Sequence, residues 1–404
     1  MILETRGTLS QAGFIHSDAP FPAFVAGYGA GKSHALALRA IRLLIEHKTD
    51  IAYYMPTYDL VRLVGYKRLV DLLTEAGLEF EQNKSNFTLS LKGFGTVIFR
   101  TMDDPDRLVG YEVGHSLLDE LDTLPTDKAE LVWQRALARN RLKITGGHRN
   151  TMAVGTTPEG FRFVYEQWGR DHHLAEAKGY VLFRGRTTDN KHLPPDYVDN
   201  LRDQYPAKLL DAYLNGEFVN MNKGIIQRDW FKTSTITPNR LSMGVDLAIS
   251  LKTGADSSAL VIGGMEAGSF HVIHAEAKKA TFHEVQVWIK NVATHYAVSS
   301  IFIESVQYQL AAVQELMRTT SLPVIAVKPD KDKQSRLMPL AARYEQGFIA
   351  HVPANSGNHI KQLEDELVAF PNSAHDDLVD ALVYAYLSAN YGGTLPKSAG
   401  VRVF

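Results

Sequence analysis

The chain contains no cysteine among its 404 residues. Disulfides and thiolate metal sites are therefore excluded, which fits a reducing compartment. It has no apolar run of the ~20 residues a membrane span requires. It also lacks a strong charge of either sign, with a formal net charge of -2. That balance argues against a surface coated in basic residues, yet it leaves room for a local basic groove offset by an acidic site elsewhere. The opening MILETRGTLSQAGF has no basic region leading into an apolar stretch, so no secretory leader is expected. What remains is an ordinary globular composition, 45% hydrophobic and 22% charged, in a chain long enough for two or three domains.

The first half is organised around FVAGYGAGKS, Phe24 to Ser33. An apolar strand empties through Gly27, Gly29, Ala30 and Gly31 into Lys32 and Ser33, and a helical pattern follows. Such a turn points backbone N–H groups at an anion and lets the main chain approach it without Cβ clashes. Lys32 would reach the β- and γ-phosphates of a nucleotide, and the Ser33 hydroxyl would complete a Mg²⁺ shell. Ala26 stands where the usual pattern begins with glycine. Beyond it, strand and helix patterns alternate. Ile51–Met55 reads as a strand, Leu60–Glu75 as a helix, and Phe87–Leu91 with Thr96–Arg100 as a hairpin or successive strands. This rhythm predicts an α/β sheet with its ligand at the carboxyl ends of the strands. GHSLLDELD places Asp119 and Glu120 at one such end, the first to hold Mg²⁺ and the second to polarise the attacking water. Thr151–Gly155 is a further strand. It ends in Thr156 and Thr157, whose hydroxyls could sense a γ-phosphate or simply cap a turn ahead of Pro158.

The pattern changes from Leu241. Leu241–Leu247, Ser258–Gly263 and Phe270–Ala275 read as three successive strands. Then come a helix (Thr281–Tyr296), a strand (Ile301–Ile303), a helix (Gln307–Thr319), a strand (Val324–Val327) and a last helix near Asp377–Asn390. That order predicts a ribonuclease-H-like domain. Asp246 interrupts an apolar strand, Glu304 directly follows another, and Asp376 and Asp377 open the last helix. Carboxylates from separate elements can converge on two Mg²⁺ or Mn²⁺ ions ~3.5–4 Å apart, which clamp both oxygens of a phosphodiester displacement. The acids at helix starts could equally serve as caps, whereas a charge within an apolar strand needs a partner. Asp256, His375 and Asp380 are possible helpers. Lys328, Lys331, Lys333 and Arg336 form a basic cluster that reads as phosphate contacts for DNA or as a solvated helix start. Pro339 should kink or split the helix that follows. Tyr384, Tyr386 and Tyr391 read as packing.

GYGAGKS, DPDRLVGYEVGHSLLDE, AVGTTPEG, the tract TTDNKHLPPDYVDNLRDQYPAKLLDAYLNGEF and HDDLVDAL occur in this order. Together they resemble the large terminase subunits of tailed bacteriophages over about Pro22 to Tyr391. The resemblance implies an N-terminal P-loop ATPase of the ASCE type over 1–170 and a linker or lid subdomain over 171–235. A ribonuclease-H-like nuclease over 236–391 and a flexible tail over 392–404 would follow. It implies ATP with Mg²⁺, Mn²⁺ possible at the nuclease site, and Thr156 and Thr157 as the motif coupling hydrolysis to movement. Asp377 is the best counterpart of the family's metal-binding acid. Tyr28 and Val109 stand where family members carry arginine, leaving Arg107, Arg139, Arg135 and Arg141 as possible arginine fingers. The implied partners are double-stranded DNA, the portal of the procapsid and a small terminase subunit. A homo-oligomeric ring is implied when docked, a monomer being possible in solution, with no membrane association. The implied location is the host cytoplasm, transiently on procapsids and outside the mature virion. Alternatives are a repair or mobile-element nuclease with a fused ATPase, and an ATP-binding packaging scaffold with a degenerate nuclease site.

Overall fold

The computed structural model describes residues 7–221, 224–247, 257–305, 307–329, 332–353, 359–371, 373, 376–391 and 401–403. It divides into two compact units, one of residues 1–201 and 207–221, the other of 202–206 and 222–404.

Eight strands make the sheet of the first unit: β1 (Phe21–Ala26), β2 (Ile51–Met55), β3 (Phe80–Asn83), β4 (Thr88–Leu91), β5 (Gly95–Thr101), β6 (His115–Asp119), β7 (Thr151–Thr156) and β8 (Tyr180–Gly185). Their order is β3-β4-β5-β2-β6-β7-β1-β8. β5, β2, β6, β7, β1 and β8 run parallel, while β3 and β4 extend the edge as antiparallel strands. Parallel strands need helices on both faces, and every residue of β2, β6 and β7 is buried accordingly. On one face Leu36, Ile41 and Leu44 of the helix Lys32–His47 pack with Phe14, Tyr53 and Phe99. On the other, Val132 and Trp133 of the helix Thr126–Arg139 pack with Leu118 and Trp168.

Two details go beyond the sequence patterns. The stretch read as one helix from Leu60 winds as a π-helix over Val61–Tyr66 before becoming α-helical at Lys67–Glu75. The edge strand β8, and the helix Ala207–Asn215, come from the segment expected to link the two halves.

The second unit has β9 (Lys232–Thr233), β10 (Ser242–Asp246), β11 (Ser258–Glu266), β12 (Ser269–Lys278), β13 (Ser300–Glu304), β14 (Val324–Lys328), β15 (Ile349–His351) and β16 (Val401–Val403). Their order is β16-β14-β13-β10-β11-β12-β15-β9. The meander β10-β11-β12 is antiparallel, and β13 and β14 join β10 in parallel. This is the ribonuclease-H arrangement. Within the tail, Val401–Val403 pairs with Ala326–Lys328; 392–400 lie outside the described residues. Of the kink or split expected at Pro339, the split does not occur: the helix continues from Lys333 to Glu345. Leu337, Met338, Leu340 and Ala341 around it are buried, so packing outweighs the one lost backbone hydrogen bond.

The last helix, Asp377–Ala389, lies directly on β10. Gly244 makes this possible, because a Cβ there would stand 2.0 Å from the Ala381 carbonyl oxygen and 2.1 Å from the Ala385 nitrogen. Absence of one side chain thus brings the acids of the helix to the end of the strand that carries Asp246.

Candidate active sites

In the first unit, β1 ends in the glycine turn. Gly31 takes a left-handed conformation (φ 84°) and caps the helix that begins with Lys32, a conformation glycine adopts without Cβ strain. Lys32 is buried at 6% exposure. Its Nζ donates to the Gly27 carbonyl at 3.2 Å and lies 3.6 Å from Glu120 Oε1.

β7 separates β1 from β6, so the end of β7 lies between the glycine turn and the acids. Asp119 is fully buried and accepts from the Tyr53 hydroxyl at 3.1 Å. Burial, then the neighbouring Glu120 charge, pushes its carboxyl up to about 7, against the pull of the Ser33 and Tyr53 hydroxyls and Lys32. A buried carboxyl beside a serine hydroxyl is a fitting seat for a hard cation. Glu120 adopts φ 54°, a left-handed conformation unusual for a side chain-bearing residue. The conformation is fixed by its N–H donating to the Gly155 carbonyl at 2.7 Å and its Oε2 accepting from the Thr157 N–H at 3.2 Å. Thr156 Oγ1 lies 3.5 Å from the same oxygen. Lys32, Ser33, Asp119, Glu120, Thr156 and Thr157 are therefore one constellation.

A cavity of about 990 Å³ opens beside it, lined among others by Gln11, Tyr28, Lys32, Ser33, Arg68 and Glu120. None of the four arginines considered as fingers lines it. Arg107, Arg135 and Arg141 are engaged with Asp104, Asp106 and Glu112. Arg139 closes the helix Thr126–Arg139. Gln11 went unnoticed in the sequence. Its side chain caps Thr8 and also donates to the Ala30 carbonyl at 3.0 Å. The Thr-x-x-Gln spacing of a capping box was the available signal.

In the second unit, Val245 pairs with Ile303 in parallel register. The next residues, Asp246 and Glu304, therefore end adjacent strands side by side. Burial, then the charges of Asp380, Glu304 and Asp377, pushes the Asp246 carboxyl up to about 8. Two cations enter this group. Lys333 Nζ lies 2.8 Å from Asp376 and 2.8 Å from Asp380, and Arg336 lies 3.2 Å from Asp380 and 3.7 Å from Glu304. Burial opposes the Lys333 charge, but its hydrogen bonds to Asp376 and Asp380 outweigh that and raise its pKa.

The four expected ligands Asp246, Glu304, Asp376 and Asp377 are thus gathered in one electrostatic neighbourhood, with Asp380 among them. Among the described residues, however, no three His, Asp or Glu side chains close into a metal-binding group. The like charges repel, and lysine and arginine hold the helix acids instead. Five carboxylates around two cations still leave an excess of negative charge that suits divalent ions. Of the basic cluster, Lys333 and Arg336 turn into the acids, which corrects the reading of these two as a DNA-facing patch. Tyr384, read as packing, donates to Glu304 at 2.9 Å and is itself bonded by Arg336. His375 and Asp256 lie outside the described residues.

Fold and sites define a nucleotide-hydrolysing motor joined to a ribonuclease-H-like nuclease. A family profile described as "Terminase large subunit, T4likevirus-type, N-terminal" matches residues 23–233. A second, "Terminase RNaseH-like domain", matches 243–389. The chain belongs to the large terminase subunits, the ATPases with a nuclease domain that package phage DNA. Among solved structures it is similar to the large terminase of a thermophilic bacteriophage, with TM-score 0.62 and 14% identity over 94% of this chain and 98% of that one. The same phage protein in complex with ADP gives TM-score 0.60 and 15% identity over 94% and 98%. In complex with ATP-gamma-S it gives 0.61 and 14% over 96% and 100%. No match to the chain is found among curated proteins. No helix among the described residues is long and apolar enough to cross a membrane.

Proposed function

We propose that the cavity beside the glycine turn takes ATP with Mg²⁺, and that the acids ending β10, β13 and opening the last helix cut DNA. The observation that carries the reading is the convergence of Lys32, Ser33 and Glu120 on one cavity, with Asp119 buried behind Ser33, in a member of this family. The thermophilic phage relative binds ADP and ATP-gamma-S, in keeping with a nucleotide here. Backbone N–H groups of Gly29 to Lys32 would cradle the phosphates, with Lys32 neutralising them. Ser33 and Asp119 would hold the Mg²⁺, which supplies charge neutralisation between the phosphates. Glu120 orients the attacking water and accepts its proton. Thr156 and Thr157, bonded to that same carboxylate, carry the change at the phosphate to the end of β7 and so couple hydrolysis to movement.

In the second unit, Asp246, Glu304, Asp376 and Asp377 would hold Mg²⁺ or Mn²⁺, which activates water and steadies the leaving oxygen. Arg336 and Tyr384 keep Glu304 oriented, and Lys333 restrains Asp376 and Asp380, which would have to give up that contact to hold a metal. Translocation of double-stranded DNA through the portal of a procapsid, with a small terminase subunit choosing the DNA and several copies forming a ring, completes the reading. These events take place in the host cytoplasm. The test is purified full-length chain assayed for ATP turnover and for plasmid digestion with Mn²⁺. Lys32→Ala loses the first and keeps the second, and Asp246→Asn does the reverse. Loss of both activities in either variant would overturn the division of labour.

A further inference from the structure

Besides Lys32 and a metal ion, the reaction at the cavity gains from a cation that follows the γ-phosphate, because the negative charge of the transferring group spreads as it leaves. The arginines suggested by the sequence all lie off the cavity. Arg68 lies on it. It belongs to the helix Lys67–Glu75, one turn after Val64, which lines the same cavity. Among the described residues Arg68 has no hydrogen-bond or ion-pair partner, although Lys67 beside it is paired with Asp71 and Arg62 with Asp59. An arginine left unpaired on a cavity wall is charge held ready for an anion.

Arg68 shares the cavity wall with Lys32, Ser33 and Glu120, the residues read above as the phosphate lysine, a metal ligand and the base. Lys191, also on the wall, is on the loop tied to the glycine turn through the Asn190 bond to the Gly29 carbonyl. Arg68 instead rides on a packed helix. Gly65 lies against β2, where a Cβ would stand 2.6 Å from Met55 Sδ. The π-helical turn that ends at Tyr66 sets the phase in which the following residues face the cavity.

We propose that Arg68 is a catalytic residue of the ATPase, supplied in cis, whose guanidinium binds the γ-phosphate and steadies its charge during transfer. Water attacks the γ-phosphorus, and the bond to the β–γ bridging oxygen breaks. ADP leaves with that electron pair, the water proton passes to Glu120, and Arg68 donates to the equatorial oxygens throughout. The inference rests on the ATP reading of the cavity. It differs from a general binding role in that ADP, lacking the γ-phosphate, gains nothing from Arg68.

Steady-state ATP turnover and competitive titration with ADP and ATP-gamma-S, on the full chain, test it. Arg68→Ala should lower kcat by about 10²–10³-fold, weaken ATP-gamma-S and leave ADP affinity within about threefold. Arg68→Lys, which keeps the charge without the planar fork, should recover only part of kcat. Unchanged kcat in Arg68→Ala overturns the inference, as does equal weakening of ADP and ATP-gamma-S. Lys32→Ala run alongside separates the two ideas. Turnover retained there removes the ATP site itself, whereas turnover lost there but retained in Arg68→Ala removes only the role of Arg68.

Discussion

Replacing Asp246 by asparagine should make the second unit more stable whenever divalent cations are withheld. Its carboxyl is pushed up from 3.8 to about 8, first by burial and then by Asp380, Glu304 and Asp377. With the folded value above the unfolded one, the folded chain holds the extra proton throughout the window between them. Stability therefore falls as pH rises across that window and levels off above it. Neutral pH lies about three units into the window, worth about 4 kcal/mol at 1.36 kcal/mol per unit. Local relaxation around a buried charge makes about 2 kcal/mol the safer figure. Asparagine has nearly the same shape and never ionises, so it escapes this loss. For a unit of this size the gain corresponds to about 4–8 °C in melting temperature.

The assay is thermal unfolding of wild type and Asp246→Asn with EDTA at about pH 5 and 7.5, where the gap between them should widen with pH. Adding Mn²⁺ at ~100 times its dissociation constant should then stabilise the wild type by about 2.7 kcal/mol and the variant by much less. A variant that melts below wild type in EDTA at pH 7.5 would refute the electrostatic argument. An equal Mn²⁺ response in both would refute the ligand role.

Three further outcomes are expected. Gly244→Ala places a methyl group against the backbone of the last helix; it should cost about 3 kcal/mol and abolish Mn²⁺-dependent plasmid cleavage while ATP turnover persists. Arg39, fully buried, donates to the carbonyls of Phe14, Ile15 and Ser17, so Arg39→Ala should destabilise the first unit by about 3 kcal/mol in urea unfolding. Tyr384→Phe removes the donor to Glu304 and should cost about 1–2 kcal/mol, with reduced cleavage and intact ATP turnover.

Much of this was legible in the sequence because both sites sit at the ends of buried strands. Asp119 and Asp246 stand out as charges terminating apolar runs, and the glycines before Lys32 announce a turn that only backbone can fill. The helix Gln307–Thr319 is found at its expected bounds, and β13 differs by one residue at each end. What escaped were side chains recruited through space. Arg68 and Arg39 look alike on an amphipathic helix, yet one faces a cavity and the other is buried against carbonyls. Lys333 and Arg336 lie in a charged tract with no periodicity to show which way they turn. Tyr384 sits among apolar residues, and only the tertiary arrangement puts Glu304 within reach of its hydroxyl.

The 3.6 Å pair between Lys32 and Glu120 has a consequence for when the motor fires. The lysine needed by an incoming anion is the one that restrains the carboxylate that would activate water. If Glu120 is the base proposed above, an arriving polyphosphate would compete with its carboxylate for the same ammonium group, so binding of the fuel and release of the base would be one event.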